Sequence, residues 1–123
     1  MIVLVFTLLS FCHWLGDYTH LSTGKMLAAK RLGYPYLPIL YHALVHTVLV
    51  LVVLMFVTSP LNAIGLALFV LSTHFGIDVL KGEINKWFPL LQNPANKYHW
   101  YVFGIDQFLH FEVIIFTSYL SLL

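Results

Sequence analysis

Hydrophobic and polar positions divide this chain into four apolar blocks, approximately residues 1–18, 36–57, 61–80 and 100–123. Each approaches the ~20 residues an α-helix needs to cross a hydrocarbon core, so the pattern predicts four membrane-spanning helices. The first block is short and is expected to adjust by tilt or by local thinning of the bilayer. Residues 58–62, Thr-Ser-Pro-Leu-Asn, read as a tight uncharged turn. Residues 20–33 carry Lys25, Lys30 and Arg31, with Ser22 or Thr23 as an N-cap and Met26, Leu27 and Leu32 on one face of a short interfacial helix. Residues 82–97 carry Glu83, Lys86 and Lys97, and Pro89 and Pro94 interrupt any long helix there. The predicted fold is all-α: one integral membrane domain over residues 1–123, an up-down-up-down bundle of four helices with the interfacial helix between the first two. No internal repeat is visible.

The polar exceptions inside these blocks are regular. His13/Asp17, His42/His46, His74/Asp78 and Asp106/His110 are each four residues apart, which stacks both side chains on one helix face. With alternating helix direction, all four pairs fall at the same end of the bundle, one to three turns inside the membrane boundary. Three carboxylates in hydrocarbon would each cost about 2.5–3.5 kcal/mol on the lenient insertion scale, so they need cationic partners. Two divalent ions and a bridging hydroxide balance the three aspartates. Eight donors also exceed the four of one tetrahedral site. Mixed imidazole and carboxylate ligation suits Zn, Fe(II) or Mn. The expectation is a two-metal site held by His13, Asp17, His42, His46, His74, Asp78, Asp106 and His110. Its plan parallels di-metal carboxylate bundles in architecture alone.

Composition agrees with the membrane reading. The chain is 60% hydrophobic and 9% charged, with mean hydropathy +0.87, where soluble domains carry roughly 25% charged residues. A net charge of +1 without a basic stripe excludes nucleic acid as a partner. The N-terminal block lacks the basic start and small-residue cleavage site of a signal peptide and is expected to be retained as the first span. All six basic residues lie in or beside the two longer connections, which the positive-inside rule makes cytoplasmic, leaving both termini outside. Trp14, Tyr18, Tyr34, Tyr36, Tyr41, Trp87, Tyr98, Trp100 and Tyr101 read as an aromatic belt on that side. Cys12, the single cysteine, reads as a packing residue. His20 and His99 fall on the ligand faces at the water boundary, as hydrogen-bond partners of ligands or as solvated groups. Glu112 points away from its neighbouring pair, toward an adjoining chain in a homo-oligomer or larger complex, or toward a proton path.

The string His13-Trp14-Leu15-Gly16-Asp17-Tyr18, followed by His42-xxx-His46, His74-xxx-Asp78-xx-Lys81 and Asp106-Gln107-xx-His110, resembles a bacterial membrane family catalogued as domain of unknown function 3307. The resemblance covers nearly the whole chain and implies a small multi-pass protein of the bacterial inner membrane. This chain departs from the family's pattern in having His20 where a Gln is expected soon after the first Asp. The pattern is more distantly similar to small membrane-bound metal-dependent hydrolases, which implies a reaction class only.

These features point first to a metal-dependent hydrolase of a membrane lipid or lipid-linked phosphate. Lys81, Lys25, Lys30 and Arg31 would hold the phosphate, and Asp106 or a peripheral histidine would serve as general acid. No serine or cysteine nucleophile is suggested by spacing, so water is the expected attacker. A di-iron oxidase or hydroxylase, a metal or proton carrier, and a bis-histidine haem protein are the alternatives. The almost wholly apolar stretches 48–57 and 114–123 count against a carrier.

Overall fold

A computed structural model describes residues 1–123. It is all-α, with five α-helices and no strand: α1 (Ile2–Tyr18), α2 (Gly24–Leu32), α3 (Tyr36–Leu54), α4 (Pro60–Trp87) and α5 (Lys97–Leu120), plus a 3₁₀ turn at Pro89–Gln92. The starts follow local chemistry. Thr23 Oγ1 accepts from Met26 N at 3.3 Å, and Asn96 Oδ1 accepts from Tyr98 N at 3.0 Å. Ser59 Oγ caps α4 at Asn62 N, with Pro60 in the first turn where its missing N–H costs nothing. At the other end of α2, Gly33 takes φ 80° and donates its N–H to Ala29 O at 2.8 Å, the left-handed ending that glycine favours.

Four boundaries differ by three or more residues from those read off the sequence, two of them because α3 ends at Leu54 and α5 at Leu120, each three residues short of its apolar block. The third block was expected to end near residue 80, but α4 continues through Trp87 and stops only before Pro89. Hydropathy falls at Lys81, yet Lys-Gly-Glu-Ile-Asn-Lys has no residue that must break a helix, so the backbone runs on. In α5, Asn96 starts the helix three residues earlier than the apolar block suggested.

Two helices, α3 and α4, are long and apolar enough to cross a membrane. The shorter α1 is apolar throughout most of its length, and α5 carries Asp106, Gln107, His110 and Glu112 in an otherwise apolar run. Helix α1 packs on α3 and α5, and α4 packs on the same two, so each long helix touches two others. The short α2 lies against α3 and α4. Between the long helices the interior is divided in two. One half is an apolar core of Val5, Leu9, Val50, Leu54, Ala63, Leu66, Val70 and Ile114. The other half is polar and contains the histidines and aspartates.

Helix α2 is fastened to α4 by backbone proximity. A Cβ on Gly33 would stand 2.5 Å from Gly82 O, and one on Gly82 would stand 2.6 Å from Gly33 Cα. Asn85 Nδ2 adds a hydrogen bond to Arg31 O at 3.0 Å. This docking decides which face of α2 is buried. Ala29 and Lys30 turn inward, whereas Leu27, expected on the apolar face, stays half exposed.

Candidate metal centre

The four i,i+4 pairs converge. Helix α1 supplies His13 and Asp17, α3 supplies His42 and His46, α4 supplies His74 and Asp78, and α5 supplies Asp106 and His110. The side chains of all eight are at most 6% exposed. Imidazole centroids lie 3.9 Å apart for His46/His74, 4.2 Å for His74/His110, 4.8 Å for His42/His46 and 5.0 Å for His13/His46. Gly16 makes room for this crowding, because a Cβ there would meet the His46 ring.

Two compact donor sets emerge. One atom each from Asp17, His42, His46 and His74 fall within 4.8 Å of one another, and so do atoms of His74, Asp78 and His110. His74 belongs to both. The first set has the one-carboxylate, three-imidazole composition that suits a tetrahedral divalent ion. His13 and Asp106 stand just outside these sets. His13 Nε2 is 3.2 Å from Asp17 Oδ2 and 3.3 Å from Gln107 Oε1. Gln107 Nε2 donates to Asp106 Oδ2 at 3.0 Å and reaches Asp17 Oδ2 at 3.5 Å. One amide thus ties together His13, Asp17 and Asp106. Gln107 was not among the expected site residues; its signal was its place in the Asp106-Gln107-xx-His110 motif.

Lys30 is the larger surprise. It was expected at the interface as a phosphate ligand, but its side chain is 9% exposed and its ammonium enters the cluster. Nζ lies 3.5 Å from Asp78 Oδ1, 3.7 Å from Asp17 Oδ1 and 3.2 Å from His42 Nε2. Burial works against the charge, but Asp78, then Asp17 and Asp106, outweigh it and hold the ammonium protonated above the ordinary lysine range. His42 Nε2 is also 2.9 Å from Asp17 Oδ1, and His46 Nε2 is 3.0 Å from the same oxygen. One ring nitrogen cannot accept from the ammonium and donate to the carboxylate in a single tautomer.

Unsatisfied atoms make the same point. Asp78 Oδ1 and Oδ2, His74 Nε2, His110 Nε2 and Asp106 Oδ1 are buried with no hydrogen-bond partner. His74 Nε2 is 3.3 Å from Asp78 Oδ2 and His110 Nε2 is 3.7 Å from Asp78 Oδ1, yet neither contact forms a hydrogen bond. Leaving such groups unmade costs about 1–3 kcal/mol each, more for a charge. A cation accepting their lone pairs removes that cost, so these residues fit a metal ion. A small cavity of about 20 Å³ lies beside His13, His46, His74 and His110, with Thr117 in its lining. It has room for one water.

The remaining candidates lie outside the cluster. Lys81 Nζ is 3.7 Å from Asp106 Oδ2 and 5.2 Å from the Phe103 ring centroid, at the cluster's edge. His20 and Lys25 are exposed, and Glu112 is exposed on the far face of α5. His99 Nδ1 donates to Leu91 O at 2.6 Å. Cys12 is buried with its Sγ 3.7 Å from Leu49 O. All nine aromatic residues assigned to the belt are exposed, each by 48% or more.

Fold and site together define an all-helical protein with a buried His/Asp cluster able to hold a metal ion. The chain belongs to the family described as "Protein of unknown function (DUF3307)", whose pattern matches residues 5–123. No curated protein and no solved structure matches the chain.

Proposed function

We propose that this chain is a four-span integral membrane metalloprotein that hydrolyses a lipid or lipid-linked phosphate at a two-metal His/Asp centre near the cytoplasmic face. The observation that carries the metal is the set of buried, unsatisfied donors on Asp78, His74 and His110 beside the Asp17/His42/His46 group. Two donor sets support a count of two ions. The membrane reading draws support from α3 and α4, from the outward-facing Val48, Val52, Leu68, Phe108, Phe111 and Ile115, and from the exposed aromatic residues. With the basic residues cytoplasmic, both termini lie outside.

Asp17, His42, His46 and His74 would hold one ion, and Asp78 and His110, with His74 or Asp106, the second. When bound, such ions acidify water and stabilise developing negative charge. The chain's own residues do the rest. Gln107 orients His13, Asp17 and Asp106. Lys30 neutralises Asp17 and Asp78, and Lys81 stands beside Asp106 to meet an anionic group. Asp106 has an uncommitted oxygen and is the best-placed carboxyl for proton transfer. The apolar core of Val5, Leu9, Val50, Leu54 and Val70 fills most of the other half and carries no charged or imidazole group, which disfavours a carrier.

A di-iron oxidase is the second reading, favoured by the one-molecule cavity against four imidazoles. Elemental analysis and an absorption spectrum of protein purified in detergent without added metal separate the two. One to two equivalents of zinc or manganese, reduced by about one in Asp78→Asn, support the hydrolase; iron with a ligand-to-metal band supports the oxidase. Less than about one metal per chain, with Asp17→Ala, His46→Ala and Asp78→Ala all harmless, would sink both.

A further inference from the structure

Between α1, α2, α4 and α5 lies a second cavity, of about 350 Å³, lined by Asp17, Lys30, Arg31, Lys81, His99 and Gln107 among others. Asp17, Lys30 and Gln107 belong also to the metal cluster, so the cavity abuts it. Its volume falls in the range of small-ligand sites, roughly 300–1,000 Å³. We infer that it is a phosphate-binding vestibule in which Arg31 and Lys81 grip the anionic group of the substrate; this rests on the metal-centre reading above and adds to it the residues that select the substrate.

The cations supply the argument. The Arg31 guanidinium forms no hydrogen bond or ion pair within the chain, while Asn85 anchors its backbone to α4. Lys81 Nζ forms no hydrogen bond and stands 3.7 Å from its nearest carboxylate oxygen. Arg31 is therefore uncommitted, and Lys81 is held beside Asp106 by charge alone, with its N–H donors free of any hydrogen bond, in a lining that also includes Tyr18 and Phe103. His99, whose Nδ1 is fixed on Leu91 O, keeps Nε2 available in the same lining. Lys30, Arg31 and Lys81 together balance Asp17, Asp78 and Asp106. Two divalent ions and a bridging hydroxide then leave three positive charges, most of which a phosphate monoester dianion would offset. Guanidinium and ammonium donors supply the charge-assisted hydrogen bonds that phosphate oxygens accept. The phosphate can belong to a lipid headgroup or to a soluble ester.

The test measures inorganic phosphate binding by calorimetry to protein in phosphatidylcholine nanodiscs, with metal content determined on the same samples. Wild type is expected to bind phosphate. Arg31→Gln, at an exposed position that leaves the fold intact, and Lys81→Gln should each weaken binding roughly tenfold to a hundredfold, the scale of one lost charge-assisted hydrogen bond. Phosphatidate in the nanodiscs should abolish the signal if the source is a lipid headgroup, and leave it if the source is a soluble ester. Equal phosphate binding by wild type and both variants, or none by wild type, overturns the vestibule even where metal is present. Arginine-dependent phosphate binding by a chain that carries no metal would uphold the vestibule and overturn the metal-centre reading.

Discussion

Gly16→Ala should damage the cluster without touching a ligand. Its Cβ would lie 2.5 Å from His46 Nε2 and 2.8 Å from Nδ1, with Cε1 closer still, where ordinary contacts begin at 3.4 Å. His46 has nowhere to retreat: it is 2% exposed and stacks on His74 at 3.9 Å. Two effects oppose each other. Alanine favours a helix interior over glycine by about 1 kcal/mol. Overpacking a filled interior costs about 1–3 kcal/mol. Since the obstructing atoms form a rigid ring, the clash is expected at the upper end and should lower stability by up to about 2 kcal/mol net, with metal affinity falling as the His46 ring is displaced. Gly65→Ala is the control, because a Cβ there meets nothing within 4 Å and only the helix gain remains. Metal affinity by competition with a chromophoric chelator, and thermal unfolding in detergent, report both. Gly16→Ala with wild-type affinity and raised stability would refute the packing argument.

Asp78→Asn should remove one of the two donor sets and lower bound metal by about one equivalent, read by elemental analysis. Lys30→Met should destabilise the chelator-treated protein by about 3–5 kcal/mol, because it strands Asp17 and Asp78 without their cation. The loss should shrink on adding metal, as a difference in unfolding midpoint between loaded and stripped samples. Gln107→Leu should weaken metal binding roughly 10–100-fold, as loss of a ligand-orienting hydrogen bond does. A chelator titration indistinguishable from wild type would end that role for the amide.

Most of the site was readable from residue spacing, because a polar pair at a four-residue step inside an apolar block has few innocent explanations. The convergence of His42, His46, His74 and Asp78 followed from alternating helix direction alone. Lys30 was not readable. On a short basic helix an inward lysine looks identical to an outward one, and its direction is set by the Gly33–Gly82 approach and by Asn85, both far away in sequence. Gln107 escaped for a related reason: one residue from Asp106, it points roughly 100° round the helix, toward α1. The end of α4 was missed because a drop in hydropathy marks the edge of an apolar block and says nothing about where the backbone hydrogen bonds stop.

The apolar core has a bioenergetic consequence. Five imidazoles in a bundle could relay protons, and in an energised membrane such a relay would discharge the gradient. Val5, Leu9, Val50, Leu54 and Val70 carry no group that can pass a proton on. In the membrane arrangement proposed above they interrupt the chain of imidazoles, leaving the buried hydroxyls of Thr117 and Ser118 on α5 and of Ser121 at its C-cap beyond the cluster.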